Sequence, residues 1–151
     1  MLKIKTFICL LVFLTFSTVS LVSAETLSDL DKSKIKSVVE KQLQAFAEDD
    51  FEEAYSYAAP LIKQIFSSVD VFKNMVTTQY QAVYRPKKID FGDVKIIRGA
   101  PTLNVFLVDP DGNFVTATYL MQQQPDLSWL ISGCYLKTVS YTHLTLPTNC
   151  V

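Results

Sequence analysis

The residues best placed to do chemistry are Tyr80, Tyr84 and Arg85, gathered where a helical pattern gives way to a strand pattern. Phenols there can line a cavity and donate to a bound carbonyl or anion, and Arg85 can pair a carboxylate. The competing reading is structural: the rings staple the last helix to the sheet and Arg85 ties down a loop. Glu48-Asp-Asp-Phe-Glu-Glu53 places five carboxylates in six residues. It reads as a solvated helix junction with a capping Asp, because paired catalytic carboxylates need an enclosing pocket. Asp109-Pro-Asp-Gly-Asn113 has the composition of a calcium loop without its spacing. Its glycine is fourth rather than sixth, and Leu120 stands where a bidentate Glu is required. It is therefore expected to be a hairpin turn. The sequence has no Gly-rich phosphate loop, Ser nucleophile elbow or metal-ligand cluster, so neither cofactor nor metal is expected.

Both ends narrow the field further. Lys3 and Lys5 precede an uncharged apolar run from Phe7 to Val22, and Val22-Ser23-Ala24 offers small residues at a cleavage position. Residues 1–24 thus read as an export signal, which predicts a periplasmic or secreted bacterial protein. The alternative is a retained anchor, but the run is short against the ~20 residues a membrane span needs. At the other end, residues 139–148 resemble the translation of a transposase sequencing adaptor, so 139–151 is expected to be a non-native tail. That tail holds His143, the chain's only histidine, and Cys150. Histidine-based catalysis or metal binding then loses its candidate. With Cys9 in the signal and Cys150 in the tail, Cys134 stands alone and is expected to be a buried small hydrophobe. Removing Lys3 and Lys5 from the 14 basic residues leaves 12 against 15 acidic ones, a formal charge of −3. Such a surface, with two arginines, argues against nucleic acid as a partner.

The remaining span, 25–138, must position these residues. From Ser28 to Glu48, Ile35, Val38, Val39, Gln42, Leu43 and Phe46 recur at helical spacing. Asp50 caps a second helix carrying Phe51, Ala54, Tyr55 and Ala58, which stops before Pro60. Leu61–Phe66 predicts one or two further turns. Ser67-Ser68 caps a helix with Val71, Phe72, Met75, Val76 and Tyr80 on one face. From Lys87 the period becomes two. Strands are predicted at 88–98 with a bend at Gly92, at 103–108, at 114–122 and at 128–136, with turns at 99–101, 109–113 and 125–126. Trp129 and Ile131 are expected in the core, and Asp90 and Asp93 are expected to face water. Short turns imply antiparallel neighbours. The fold class is α+β: N-terminal helices packed on a curved antiparallel sheet of about four strands, curled around the long helix.

This order of elements resembles the cone-shaped, cystatin-like and nuclear-transport-factor-2-like superfamily, shared with ketosteroid isomerase and SnoaL-type cyclases. Gln42-Leu-x-Ala-Phe46, Asp49-Asp50, Ala54-Tyr55, Ala59-Pro60, Phe72-x-x-Met-Val76, Val83-Tyr-Arg-Pro86, Asp109-Pro-Asp-Gly112 and Trp129-x-Ile-Ser-Gly-Cys134 are similar to a bacterial family, domain of unknown function 4864. The resemblance implies a cone with a cavity between helices and sheet, and no assigned activity. The expected function is a non-catalytic binding or accessory module with a hydrophobic cavity. It would take a small apolar ligand, or pair with a second copy through the sheet face, and would have no stable membrane span after signal cleavage. One alternative is a cofactor-free isomerase or hydro-lyase using Tyr84 or Tyr80 as donor and Asp93 or Asp50 as base. Another is a purely structural homo-oligomer subunit with its cavity filled by side chains.

Overall fold

Ser28 opens the first helix by accepting from the Asp31 N–H at 3.1 Å, and Asp29 and Asp31 sit at the positive end of its dipole. In this computed structural model, which describes residues 26–139, that helix is α1, Asp29–Ala47. The predicted signal with Cys9, and the tail from residue 140 with His143 and Cys150, lie outside the described residues. Ile35, Val39, Gln42, Leu43 and Phe46 are buried on one face of α1. Each large apolar side chain removed from water there contributes ~1.5–3 kcal/mol.

α1 ends in paired reverse bonds. The Asp50 N–H donates to the Ala45 carbonyl at 2.9 Å and the Asp49 N–H to that of Phe46 at 3.2 Å. This is a Schellman closure, which needs a left-handed residue after the cap. Asp49 takes that conformation at φ 61°. Asp50 then caps α2 (Phe51–Ser56), accepting from the Glu53 N–H at 2.9 Å. Pro60 starts α3 (Pro60–Ile65). Ser68 caps α4 (Val69–Gln79), whose buried residues are Phe72 and Val76. Met75 and Tyr80 are half-buried, but Val71, expected on the same face, is exposed. At 100° per residue Val71 is turned more than a quarter of the way round the helix from Phe72, past the margin of the buried stripe. A short α5 (Gln81–Tyr84) was not foreseen from the sequence, whose pattern there is only four residues long.

The strands β1 (Lys88–Ile97), β2 (Ala100–Val108), β3 (Phe114–Gln123) and β4 (Trp129–Thr138) form one antiparallel sheet in the order β1-β2-β3-β4. The α+β expectation of helices followed by a four-stranded antiparallel sheet is met. The predicted turn at 99–101 is tighter than expected. Ile97 pairs with Ala100, and only Arg98 and Gly99 turn, with φ 52° and 79°. Two positive φ values give a hairpin twist that suits the flanking strands, so Ala100 and Pro101 belong to β2. The expected bend at Gly92 is a bulge between Phe91 and Val94. A Cβ on Gly92 would lie 3.0 Å from the Asn104 carbonyl oxygen, so the close approach of β2 requires glycine. The Asp109 carboxylate accepts from the N–H groups of Asp111 and Asn113, at 2.9 and 2.8 Å, closing the β2–β3 turn as expected.

Leu103, Val105 and Leu107 of β2 and Val115, Ala117, Tyr119 and Met121 of β3 alternate onto the buried face, which packs on α1 and its neighbours. Trp129 and Ile131 join that core as expected, and Asp90 and Asp93 are exposed. Among the described residues no helix is long and apolar enough to cross a membrane.

Candidate functional site: an apolar cavity behind beta4

The cavity forms where the helices meet the edge strand. β4 carries an irregularity opposite Leu120 and Met121 that leaves Ser132 out of register. Next to it, the chain between α2 and α3 joins the sheet edge. The Ala59 N–H donates to the Ile131 carbonyl at 2.8 Å, and the Ile131 N–H to that of Tyr57 at 2.9 Å. This clip holds α3 against β4 on one side, while α4 stands off on the other. Tyr55 ties α3 down by donating from its hydroxyl to the Phe66 carbonyl. Between these elements lies a cavity of about 330 Å³. That is near the lower end of the ~300–1,000 Å³ range of small-molecule sites.

Its walls are apolar. Phe46, Phe66, Phe72, Met75, Val76 and Ile131 form much of the lining, and Phe72 packs against Phe46, Phe66 and Tyr55 with ring centroids 5.3–6.3 Å apart. The outer wall is wet. Leu61, Ile65 and Tyr135 line the cavity yet are 58%, 61% and 62% exposed.

Polar groups in the lining are few, and most are engaged. The Gln42 amide donates to the Ala54 carbonyl at 3.1 Å, the Tyr80 hydroxyl to that of Cys134 at 3.2 Å, and the Ser132 hydroxyl to that of Leu120 at 3.1 Å. Tyr119 is the exception. It is 1% exposed, and among the described residues its hydroxyl has no hydrogen-bond partner of ordinary geometry. The Cys134 thiol lies beside it, but sulfur is a weak acceptor and the pair does not reach ordinary hydrogen-bond geometry. Burial pushes the Tyr119 phenol well above its ordinary value and the Cys134 thiol up to about 12. Both groups are neutral near neutral pH. Among the described residues, the lining contains no Asp, Glu, His, Lys or Arg. The arrangement can enclose an apolar body and offer it a hydrogen bond, but it has no acid–base pair.

Residues 28–143 match the family described as domain of unknown function DUF4864. The chain belongs to that family. No curated protein matches it. The matched span covers the whole helix-and-sheet body of this DUF4864 chain and takes in residues 139–143 of the segment expected to be foreign.

Of the three candidates drawn from the sequence, Tyr80 lines the cavity, while Tyr84 and Arg85 are absent from its lining. Tyr84 donates to Asp49 Oδ1 at 2.6 Å. Arg85 donates to both Asp49 oxygens at 2.8 Å and to the Ala47 carbonyl at 2.8 Å. The Tyr84 hydrogen bond, followed by Arg85, holds the Asp49 carboxyl below its ordinary range. This exposed cluster fastens the end of α1 to α5. Asp50 is exposed and engaged as the α2 cap, and Asp93 faces water. Cys134 packs against the core as a free thiol.

Tyr119 was missed. One signal was available: a tyrosine on the Val115-Ala117-Tyr119-Met121 face of β3 must take its hydroxyl into an apolar layer. Whether that hydroxyl finds a partner depends on β4 and α4, which sequence spacing does not reveal.

Proposed function

We propose that this chain is an exported single-domain binding protein of the nuclear-transport-factor-2-like kind, and that it holds a small apolar ligand in the cavity between α3, α4 and β4. The apolar cavity of about 330 Å³, with Leu61 and Ile65 exposed at its rim, carries the reading. Two exposed apolar side chains at one mouth are a cost in water unless something covers them. Export is supported by the charged, apolar and small-residue order of positions 1–24. Pairing of two copies through the sheet is supported by Phe106, Phe114 and Tyr135, which are exposed on its outer face.

The isomerase alternative needs a carboxylate base within reach of a phenol in the cavity. The acid–phenol pair formed by Asp49 and Tyr84 stands outside the cavity lining, which favours binding over catalysis. The test is native mass spectrometry of the protein purified from the cell envelope. An adduct that dissociates on gentle activation and extracts into organic solvent is the expected result. A bare mass, together with failure to bind any apolar fluorophore, would falsify ligand binding and leave the structural-subunit alternative.

A further inference from the structure

We infer that the Tyr119 hydroxyl is the polar anchor of the cavity, and that the ligand is neutral, with an apolar body and a single hydrogen-bond acceptor of the ketone, ester or ether kind. This deepens the cavity reading and rests on it.

Three observations point to that class. A phenol 1% exposed, with no partner of ordinary geometry and only a thiol beside it, has lost its water and received little in return. Phenylalanine would fill the same space without that cost, so an acceptor supplied by a ligand is what gives the oxygen a use. Secondly, apart from the Cys134 thiol, a weak donor, the other buried or half-buried polar groups in the lining are engaged. Gln42, Tyr80 and Ser132 all donate to backbone carbonyls. Tyr119 is left as the deep donor. Thirdly, charge is unmatched on either side. Among the described residues no cation lines the cavity to meet a carboxylate or phosphate, and no carboxylate lines it to meet an amine. A charged ligand would be stripped of water with no counter-ion. Because burial keeps the phenol protonated, the proton needed for donation is present throughout the neutral range. Tyr119 and Cys134 both line the cavity, so an acceptor bound there competes only with a weak sulfur acceptor for the phenol proton.

The test uses three probes of similar length, 2-undecanone, undecane and decanoate, each displacing an apolar fluorophore from the wild-type protein and from Tyr119→Phe. The expected result is that Tyr119→Phe weakens 2-undecanone about tenfold, the scale of one neutral hydrogen bond, and leaves undecane within about twofold. Decanoate should bind the wild type more weakly than 2-undecanone at pH 8. Unchanged 2-undecanone affinity in Tyr119→Phe overturns the anchor but leaves the cavity standing. Tighter decanoate binding overturns the neutral class. Failure of every probe to displace the fluorophore overturns the cavity reading itself. A measurement on the wild type alone guards against a variant that misfolds. The carbonyl stretch of bound 2-undecanone should fall below its frequency in alkane, and a stretch at the alkane frequency overturns the anchor.

Discussion

Tyr84 and Tyr119 carry the same hydroxyl in opposite circumstances. Tyr84 is half-buried at the end of the helices. Its oxygen is shared between the Asp49 carboxylate at 2.6 Å and the Arg85 guanidinium at 3.2 Å. Arg85 also lies over the Tyr84 ring, 4.5 Å from its centroid. Every polar atom of that cluster named here has a partner within the chain, so the cluster asks for nothing from outside. Tyr119 sits on the core face of β3 with its hydroxyl unpaired. The first arrangement is complete and reads as a fastening. The second is incomplete, and an incomplete buried donor beside a cavity is what a ligand can complete. Density of polar residues in the sequence therefore misleads here: the richer cluster is the one already satisfied.

The largest expected effect separates the Tyr119 ring from its oxygen. Tyr119→Ala removes a fully buried ring and should cost ~3–5 kcal/mol of stability in denaturant titrations. Tyr119→Phe removes only an unpaired hydroxyl and should be neutral or stabilising by up to ~1 kcal/mol. A loss above ~1.5 kcal/mol in Tyr119→Phe would mean that the hydroxyl has a partner in solution, and the contrast with Tyr84 would disappear.

The Cys134 thiol sharpens the same point kinetically. Its rise from 9.0 to about 12, caused first by burial, lowers the thiolate fraction near pH 8 by about a thousandfold. Alkylation by iodoacetamide should accordingly be slow in the folded protein and fast in denaturant. The sign for stability follows. Between 9.0 and about 12 the unfolded thiol loses its proton while the folded one keeps it, so the folded state is progressively disfavoured as pH rises through that window. An occupied cavity should slow alkylation further if the ligand packs against β4. Rapid native labelling would show that the wall around Tyr119 opens freely to water.

How far these regions were legible in the sequence follows from the same physics. The buried face of α1, the caps at Ser28, Asp50 and Ser68, and the turn at Asp109–Asn113 are local, and spacing alone placed them. The turn at Arg98-Gly99 was drawn too wide because proline and glycine signal a turn without fixing its length. Ser132 is out of register for reasons that involve β3 as well as β4, and the clip from Ala59 to Ile131 joins residues 72 positions apart. The cavity is a product of those two long-range features. Tyr80 was found because it stands in a conspicuous patch. Tyr119 escaped because, in a strand, an unsatisfied phenol and a satisfied one have the same sequence signature.

The smallest effects test the satisfied cluster through its backbone. Asp49 and Leu127 both hold the left-handed conformation that non-glycine residues avoid, at φ 61° and 65°. Asp49 does so at the Schellman position with its carboxylate engaged by Tyr84 and Arg85. Leu127 does so in the β3–β4 turn with its side chain exposed. Asn tolerates this conformation at either site. Leu127→Asn should therefore raise stability by about 0.5 kcal/mol, since strain is relieved and no buried packing is lost. Asp49→Asn should lower Tm at pH 7, since the backbone is accommodated but the charge is gone. Because the folded Asp49 carboxyl lies below 3.8, its contribution is complete above about pH 4 and fades as pH falls through its lowered value. Wild type and Asp49→Asn should converge toward pH 2, and their difference at pH 7 should shrink in high salt. A gap that persists in acid would place the effect of Asp49 in its shape rather than its charge. The fastening would then rest on the Arg85 bond to Ala47 more than on the ion pair.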